Sequence, residues 1–270
     1  MSSEELKKKA NWVRRETLKL HKLAPETRIA SALSCVEILT ALYYGGILSY
    51  DPKNTKAETR DRLIISKAHG VLSIYPILAE LGFFDKRELL RVCQAGALLG
   101  GIPDMMVPGL ETINGSLGHG LGVGCGSALA LKKKPRNEKV LVLSGDGELY
   151  EGSVWEAIML AGELRLDNLI LVIDNNKACM LDFCKNIIDL EPLEAKFAAF
   201  RWQAERVDGH DVGQVTAALA RMKNSSDHKP QVLIADTIKG KGVAALETDP
   251  LSHIRVLGAA AIDAALEAQA

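Results

Sequence analysis

Nowhere in the 270 residues do 18 apolar residues run together, so a membrane-spanning helix is not expected. Neither charge dominates: 33 Lys and Arg stand against 34 Asp and Glu. A formal net charge of −1 leaves no electrostatic footprint for nucleic acid or an anionic membrane. Cysteine is sparse and unpatterned. Cys35, Cys93, Cys125, Cys179 and Cys184 are odd in number, scattered and without zinc-site spacing, so they read as reduced, mostly packing residues of a cytoplasmic protein. The first residues carry no apolar signal segment. There is also no internal repeat and no low-complexity linker. The composition agrees with a soluble enzyme, and residues 1–270 are long enough for one large α/β domain around a buried core.

What is present centres on residues 139–176. Val140 to Leu143 and Leu169 to Ile173 are continuous apolar runs, the pattern of parallel strands covered on both faces. Between them Val154, Ala157, Ile158 and Ala161 recur at helical spacing. Such a strand–helix–strand unit brings the carboxyl ends of both strands to one edge, where open α/β sheets bind ligands. Gly145-Asp146-Gly147 follows the first strand, and Asn176 follows the second, 30 residues after Asp146. A carboxylate, an amide oxygen and free carbonyls form an all-oxygen set that suits Mg²⁺ bridged to a substrate diphosphate. Gly145 and Gly147 would let backbone approach the phosphates.

The rest of the chain supplies helices around that sheet. They are expected over Leu6–His21, Ser34–Tyr44, Gly70–Leu81, Leu117–Lys132 and the Ala-rich Gly258–Ala270. Gly82 is placed to end the third of them. Gln231 to Ala235 is a further apolar strand. Residues 96–115, rich in Gly, Pro and Met and without a period, read as an active-site loop. The charge run 132–136 reads as a solvated turn.

The Gly-Asp-Gly turn followed by Asn175-Asn176 resembles the thiamine diphosphate motif, and further stretches resemble the diphosphate-binding half of transketolases. They are Asp61 to Gly70 with its His69-Gly70, Gly115-Ser-Leu-Gly-His-Gly120, Asn186 to Leu193, Asp208-Gly-His-Asp211 and Thr237 to Gly242, in the family's order. The resemblance implies a thiamine-diphosphate-binding fold: a parallel sheet with helices on both faces. It implies Mg²⁺ held by Asp146, Asn176 and the Ala178 carbonyl, and diphosphate contacts from Gly145 and the backbone of Gly147 and Glu148. Gly115, Ser116 and Leu117 would lie along the aminopyrimidine. His69 and His253 would face the diphosphate and the reacting carbon, and Glu151 would meet a carboxylate across a subunit interface. His210 reads as a loop residue at a strand end. His119 either lines the site or caps a helix.

The chain also departs from the family. Arg28 and Ile102 stand where the family has two histidines that hydrogen-bond the hydroxyl of the transferred fragment; a fixed cation and an apolar side chain cannot make that bond. The family's pyrimidine-binding domain has no counterpart in these 270 residues. The expected enzyme is therefore one subunit of a two-component transferase. A separate pyrimidine-domain subunit, in an α₂β₂ assembly, would complete the site. Two other functions stay open. One is a carboligase or acyl transferase using a 2-oxo acid such as pyruvate, its carboxylate held by Arg28 and its methyl group against Ile102. The other is a non-catalytic scaffold, against which the intact Asp146, Asn176, His69 and Glu151 argue.

Overall fold

The computed structural model describes residues 1–134 and 137–269. Pro135 and Arg136 of the charge run and Ala270 of the expected last helix lie outside the described residues. Five strands form one sheet: β1 (Arg62–Ile65), β2 (Val140–Gly145), β3 (Leu169–Asn175), β4 (Gln203–Asp208) and β5 (Gln231–Asp236). All neighbours pair in parallel, in the order β1-β2-β3-β5-β4. The register sets Gly145 beside Asp174 and Asn175 beside Asp236. The turns after β1, β2, β3 and β5 therefore open side by side at one edge.

Side-chain alternation divides the core. Leu63, Leu141, Leu143, Ile170, Val172, Leu233 and Ala235 point to one face. There they meet α1 (Ser3–Leu23), α2 (Ile29–Ser34), α3 (Val36–Tyr44), α4 (Ile74–Leu81) and the helix Val212–Lys223. Ile64, Val142, Leu171, Ile173 and Ile234 point to the other face. That face is covered by α5 (Gly120–Lys132), α6 (Gly152–Glu163) and the helix Leu193–Ala199. A strand buried on both faces needs apolar residues at every position, which is why β2 and β3 read as unbroken apolar runs.

Several local choices explain the elements. Ser2 and Glu5 form a reciprocal capping box at the start of α1. Gly82 ends α4 at φ +84°, a left-handed conformation that glycine adopts without a Cβ penalty. A Cβ at Gly124 would come within 2.6 Å of Val142, so the small residues of α5 let the helix lie close on the sheet.

The structure differs from the sequence expectation in several places, among them two helices beyond those expected, Leu193–Ala199 and Val212–Lys223. The helix expected over 34–44 is two helices, α2 starting earlier at Ile29, with a break at Cys35. The first turns after β1, Ala68–Ser73, are 3₁₀ and not α. Strand β4 was not foreseen; it is a half-exposed edge strand of mixed polarity, Gln203-Ala-Glu-Arg-Val-Asp208, without the apolar run of a central strand.

One buried group makes the fold sensitive to acid. His21, fully buried at the end of α1, has its Nδ1 2.8 Å from the Thr27 hydroxyl. Thr27 spends its own proton on the Ala24 carbonyl, so the histidine must donate, and Nε2 has no partner among the described residues. Burial holds its pKa down at about 4. The unfolded chain binds that proton below about pH 6.5 and the folded chain only near its depressed value. Stability from this site is therefore complete above about pH 6.5 and lost as pH falls towards 4. In His21→Leu the urea midpoint should fall less steeply over that window than in wild type, as followed by circular dichroism.

Candidate active site

The turn after β2 begins at Asp146, whose buried carboxylate accepts the backbone N–H of Gly147 at 2.7 Å and that of Lys177. The second bond joins the β2 turn to the β3 turn directly. Burial raises the pKa of Asp146, and the nearby charge of Asp174 adds to the rise; the two backbone bonds oppose it. This is a carboxylate that a further cation would stabilise. Beside it are the Asn176 side-chain oxygen, 3.2 Å from the Ala178 N–H, and the Ala178 carbonyl. Both residues are buried. No three His, Cys, Asp or Glu side chains converge to hold a metal among the described residues. A metal here would rest on one carboxylate, one amide and one carbonyl, oxygens that fit Mg²⁺ and leave places for phosphate and water.

These groups border a cavity of about 350 Å³, a size fit for a small cofactor. Its lining includes His69, Leu117, Gly145, Asp146, Gly147, Glu148, Glu151, Asn176, Ala178 and His253. With Ser31 and Lys67 also on its wall, the cavity gathers residues from 31 to 253 in sequence. Glu148 is buried and faces inward, accepting from the hydroxyls of Ser66 and Ser144 and from the N–H of Gly118 at 3.0 Å. Gly118 sits at φ +85°, and a Cβ there would be 2.7 Å from that of Glu151. Only glycine lets this loop close over the start of α6. Glu151 itself is exposed at the cavity, and no hydrogen bond to its carboxylate forms within the described residues.

The rings of His69 and His253 meet edge to face with centroids 5.1 Å apart. Ser31 of α2 lies 3.3 Å from His253 Nδ1. Burial lowers the pKa of both histidines, that of His253 to about 3; the cations of Arg28, Lys67 and Lys239 push the same way. Both rings are therefore neutral at ordinary pH, each with one donor and one acceptor nitrogen.

Five residues singled out in the sequence do not line the cavity. Gly115 and Ser116 are exposed on the loop before Leu117. Ile102 is 40% exposed and packs near Gly115. Arg28 stands just before α2, close enough for its charge to reach both histidines. His119 is exposed at the N-cap of α5 and makes no side-chain cap.

Three charged groups escaped the sequence reading. Asp174, inside β3 and 0% exposed, pairs with the ammonium of Lys67 from the turn after β1. Its two oxygens also accept from Ser34 at 2.6 Å and from Thr237. Lys67 donates further to Ser34 Oγ and the Ser31 carbonyl, both at 2.8 Å. Lys239, also buried, donates to the carbonyls of Ala178 at 2.8 Å and Cys179 at 3.0 Å. Two of the three stand inside family-like stretches, Lys67 near His69 and Lys239 after β5. A charged residue adjoining an apolar strand was the available signal. A second, larger cavity of about 510 Å³ also borders Asp146 and Tyr150 and is walled in part by Leu149, Phe183, Leu190 and Leu193; the histidines and Lys239 do not line it.

Comparison with known proteins agrees with this geometry. Residues 22–269 match the family described as transketolase, thiamine diphosphate binding domain. The chain is 39% identical over 269 residues to an apulose-4-phosphate transketolase subunit of Actinobacillus succinogenes, covering 99% of this chain and 96% of that one. It is 36% identical to the 6-deoxy-6-sulfo-D-fructose transketolase subunit SqwG of Clostridium sp. (strain MSTE9), covering 92% and 90%. A solved transketolase from Campylobacter jejuni superposes with a TM-score of 0.93 at 31% identity, over 100% of this chain but 43% of that one. The chain thus spans nearly all of the first two proteins and less than half of the third.

The Lys67–Asp174 pair gives a test that needs no ligand. Removing one member leaves the other charge buried and alone, which costs about 3–5 kcal/mol. Lys67→Met should lower unfolding free energy by about that amount in urea titration, and Lys67→Met/Asp174→Leu by clearly less than the two single losses added.

Proposed function

The chain belongs to the transketolase thiamine diphosphate-binding family, and from that premise we propose that it is the diphosphate-binding subunit of a two-component, Mg²⁺-dependent ketol transferase of the cytoplasm. The observation that carries this reading is the convergence of Asp146, Asn176, Ala178, His69 and His253 on one cavity at the carboxyl edge of a parallel sheet. Asp146, Asn176 and the Ala178 carbonyl would hold Mg²⁺, with Gly145 and the backbone of Gly147 and Glu148 beside the diphosphate. Lys239 brings a cation to the same place. When bound, the cofactor supplies the nucleophilic carbon and stores the electron pair released from the donor. His69 and His253, held neutral and in contact, can accept a proton at one nitrogen and donate at the other beside the reacting carbonyl. Their low basicity keeps a third and fourth cation out of a site that already holds Lys67 and Lys239.

In this reading residues 1–270 act as one diphosphate-binding unit. The partner is a separate subunit carrying the pyrimidine domain, in an α₂β₂ assembly. Support comes from the two relatives named as subunits, which the chain covers almost end to end. Glu151, exposed at the cavity without a partner among the described residues, would meet a carboxylate of that subunit, and Gly115 and Ser116, exposed on their loop, would lie along the aminopyrimidine. The donor is a small anionic ketose, the class to which apulose 4-phosphate and sulfofructose belong. One observation favours a second reading: Arg28 places a permanent cation near both histidines, as a 2-oxo acid donor would require. Ile102, away from the cavity, adds nothing to it.

Asp146→Ala should abolish Mg²⁺-dependent binding of thiamine diphosphate, measured by calorimetry with the partner present. Unchanged affinity in that variant, with or without Mg²⁺, would refute the metal assignment. The purified chain should turn over no donor by itself and should gain activity on mixing with its partner. In a screen of that mixture, ketose phosphates and sulfonated ketoses should outcompete pyruvate; preference for pyruvate that is lost in Arg28→His would establish the second reading instead.

A further inference from the structure

Lys239 reaches the Ala178 and Cys179 carbonyls from the segment 237–242, which has no helix or strand of its own. The segment is gripped from behind by a cluster that borders no part of the cavity: Arg14 of α1, Glu37 of α3 and His210 after β4. Arg14 donates one guanidinium nitrogen to the carbonyls of Leu33 and Lys241, each at 2.8 Å, and pairs another with Glu37. The second Glu37 oxygen lies 3.0 Å from His210 Nδ1. His210 Nε2 accepts the backbone N–H of Ile238 at 2.8 Å. That bond fixes the tautomer, because an accepting Nε2 leaves the proton on Nδ1, where it is donated to Glu37. Arg14 and Glu37 are both buried. Gly242 lies at φ +89°, and a Cβ there would be 2.7 Å from Arg14 Cδ, so the backbone rests directly on the arginine.

The cluster therefore holds the segment one residue before Lys239 and again two residues after it. Resting on the function proposed above, we infer that His210, aligned by Glu37 and Arg14, is a positioning residue that fixes the 237–242 segment so that the Lys239 ammonium is delivered to the diphosphate side of the cavity. Arg14 and Glu37 act through His210 and through the Lys241 carbonyl. None of the three touches the cavity itself.

Two substitutions separate this role from plain structural support. In His210→Gln the amide oxygen can reach the place of Nε2 and keep the bond to Ile238. In His210→Asn the shorter amide stays level with Nδ1 and keeps only the donor to Glu37. Hydrogen exchange of residues 237–242 in the cofactor-free chain should quicken about tenfold in the Asn variant, the worth of one hydrogen bond, and stay near wild type in the Gln variant. Calorimetry with Mg²⁺, thiamine diphosphate and the partner should show the same contrast: affinity about tenfold weaker for Asn and near wild type for Gln. At saturating cofactor, kcat of the Asn variant should fall far less than its affinity. Equal effects of the two variants would overturn the inference, as would faster exchange with unchanged affinity. If wild type itself binds no cofactor, the function proposed above falls and the inference falls with it; the exchange contrast, read without cofactor, shows whether the anchor itself had been correctly described.

Discussion

The buried pair of Lys67 and Asp174 is the constraint around which the carboxyl edge of the sheet is organised. A carboxylate with no exposure inside a central strand can stay charged only if its lone pairs are taken. Lys67, Ser34 and Thr237 take them, and they come from the turn after β1, from α2 and from the turn after β5. Burial works to neutralise both partners, yet mutual attraction wins. Asp174 is held below the usual carboxylate range and Lys67 above the usual ammonium range. The pair ties three separate segments to β3, and with β2 bound to β3 through the Asp146–Lys177 bond it sets the outline of the cavity.

Around this pair the charges are arranged in compensating sets. Asp146 and Asp174 supply two negative groups, and Lys67 and Lys239 supply two positive ones. Burial raises Asp146 and lowers Lys239. Both shifts describe groups whose charge awaits a better partner than the protein alone offers. In the function proposed above, Mg²⁺ and a diphosphate would be those partners, one for each sign. The backbone N–H groups already on Asp146 leave lone pairs on both of its oxygens, so a metal need not displace them.

The local signals were legible in the sequence. The apolar runs of β2 and β3, the Gly-Asp-Gly turn and the asparagine 30 residues on are short-range patterns, and the structure joins Asp146 to the Asn176 turn. The position of Gly82 was equally readable, since a left-handed helix end is a matter of one residue's freedom. What escaped depends on register between distant strands. Nothing near Lys67 in sequence says that its ammonium meets residue 174, and nothing near His210 says that its ring accepts a hydrogen bond from the backbone N–H of residue 238. Edge strand β4 escaped because half-exposed positions impose no apolar pattern. The break at Cys35 lies within an apolar stretch whose period runs on through it.

The cavity has one consequence for biosynthesis. Its groups are contributed by residues as far apart as Ser31 and His253, with five parallel strands between them that cannot pair until each has been made. At ordinary translation rates roughly 10 to 40 s separate the synthesis of those two residues. A nascent chain therefore carries the first half of a phosphate cradle well before the second half exists. Cofactor can assist only the last step of maturation, as a late clamp on an already assembled sheet, and cannot template its early growth.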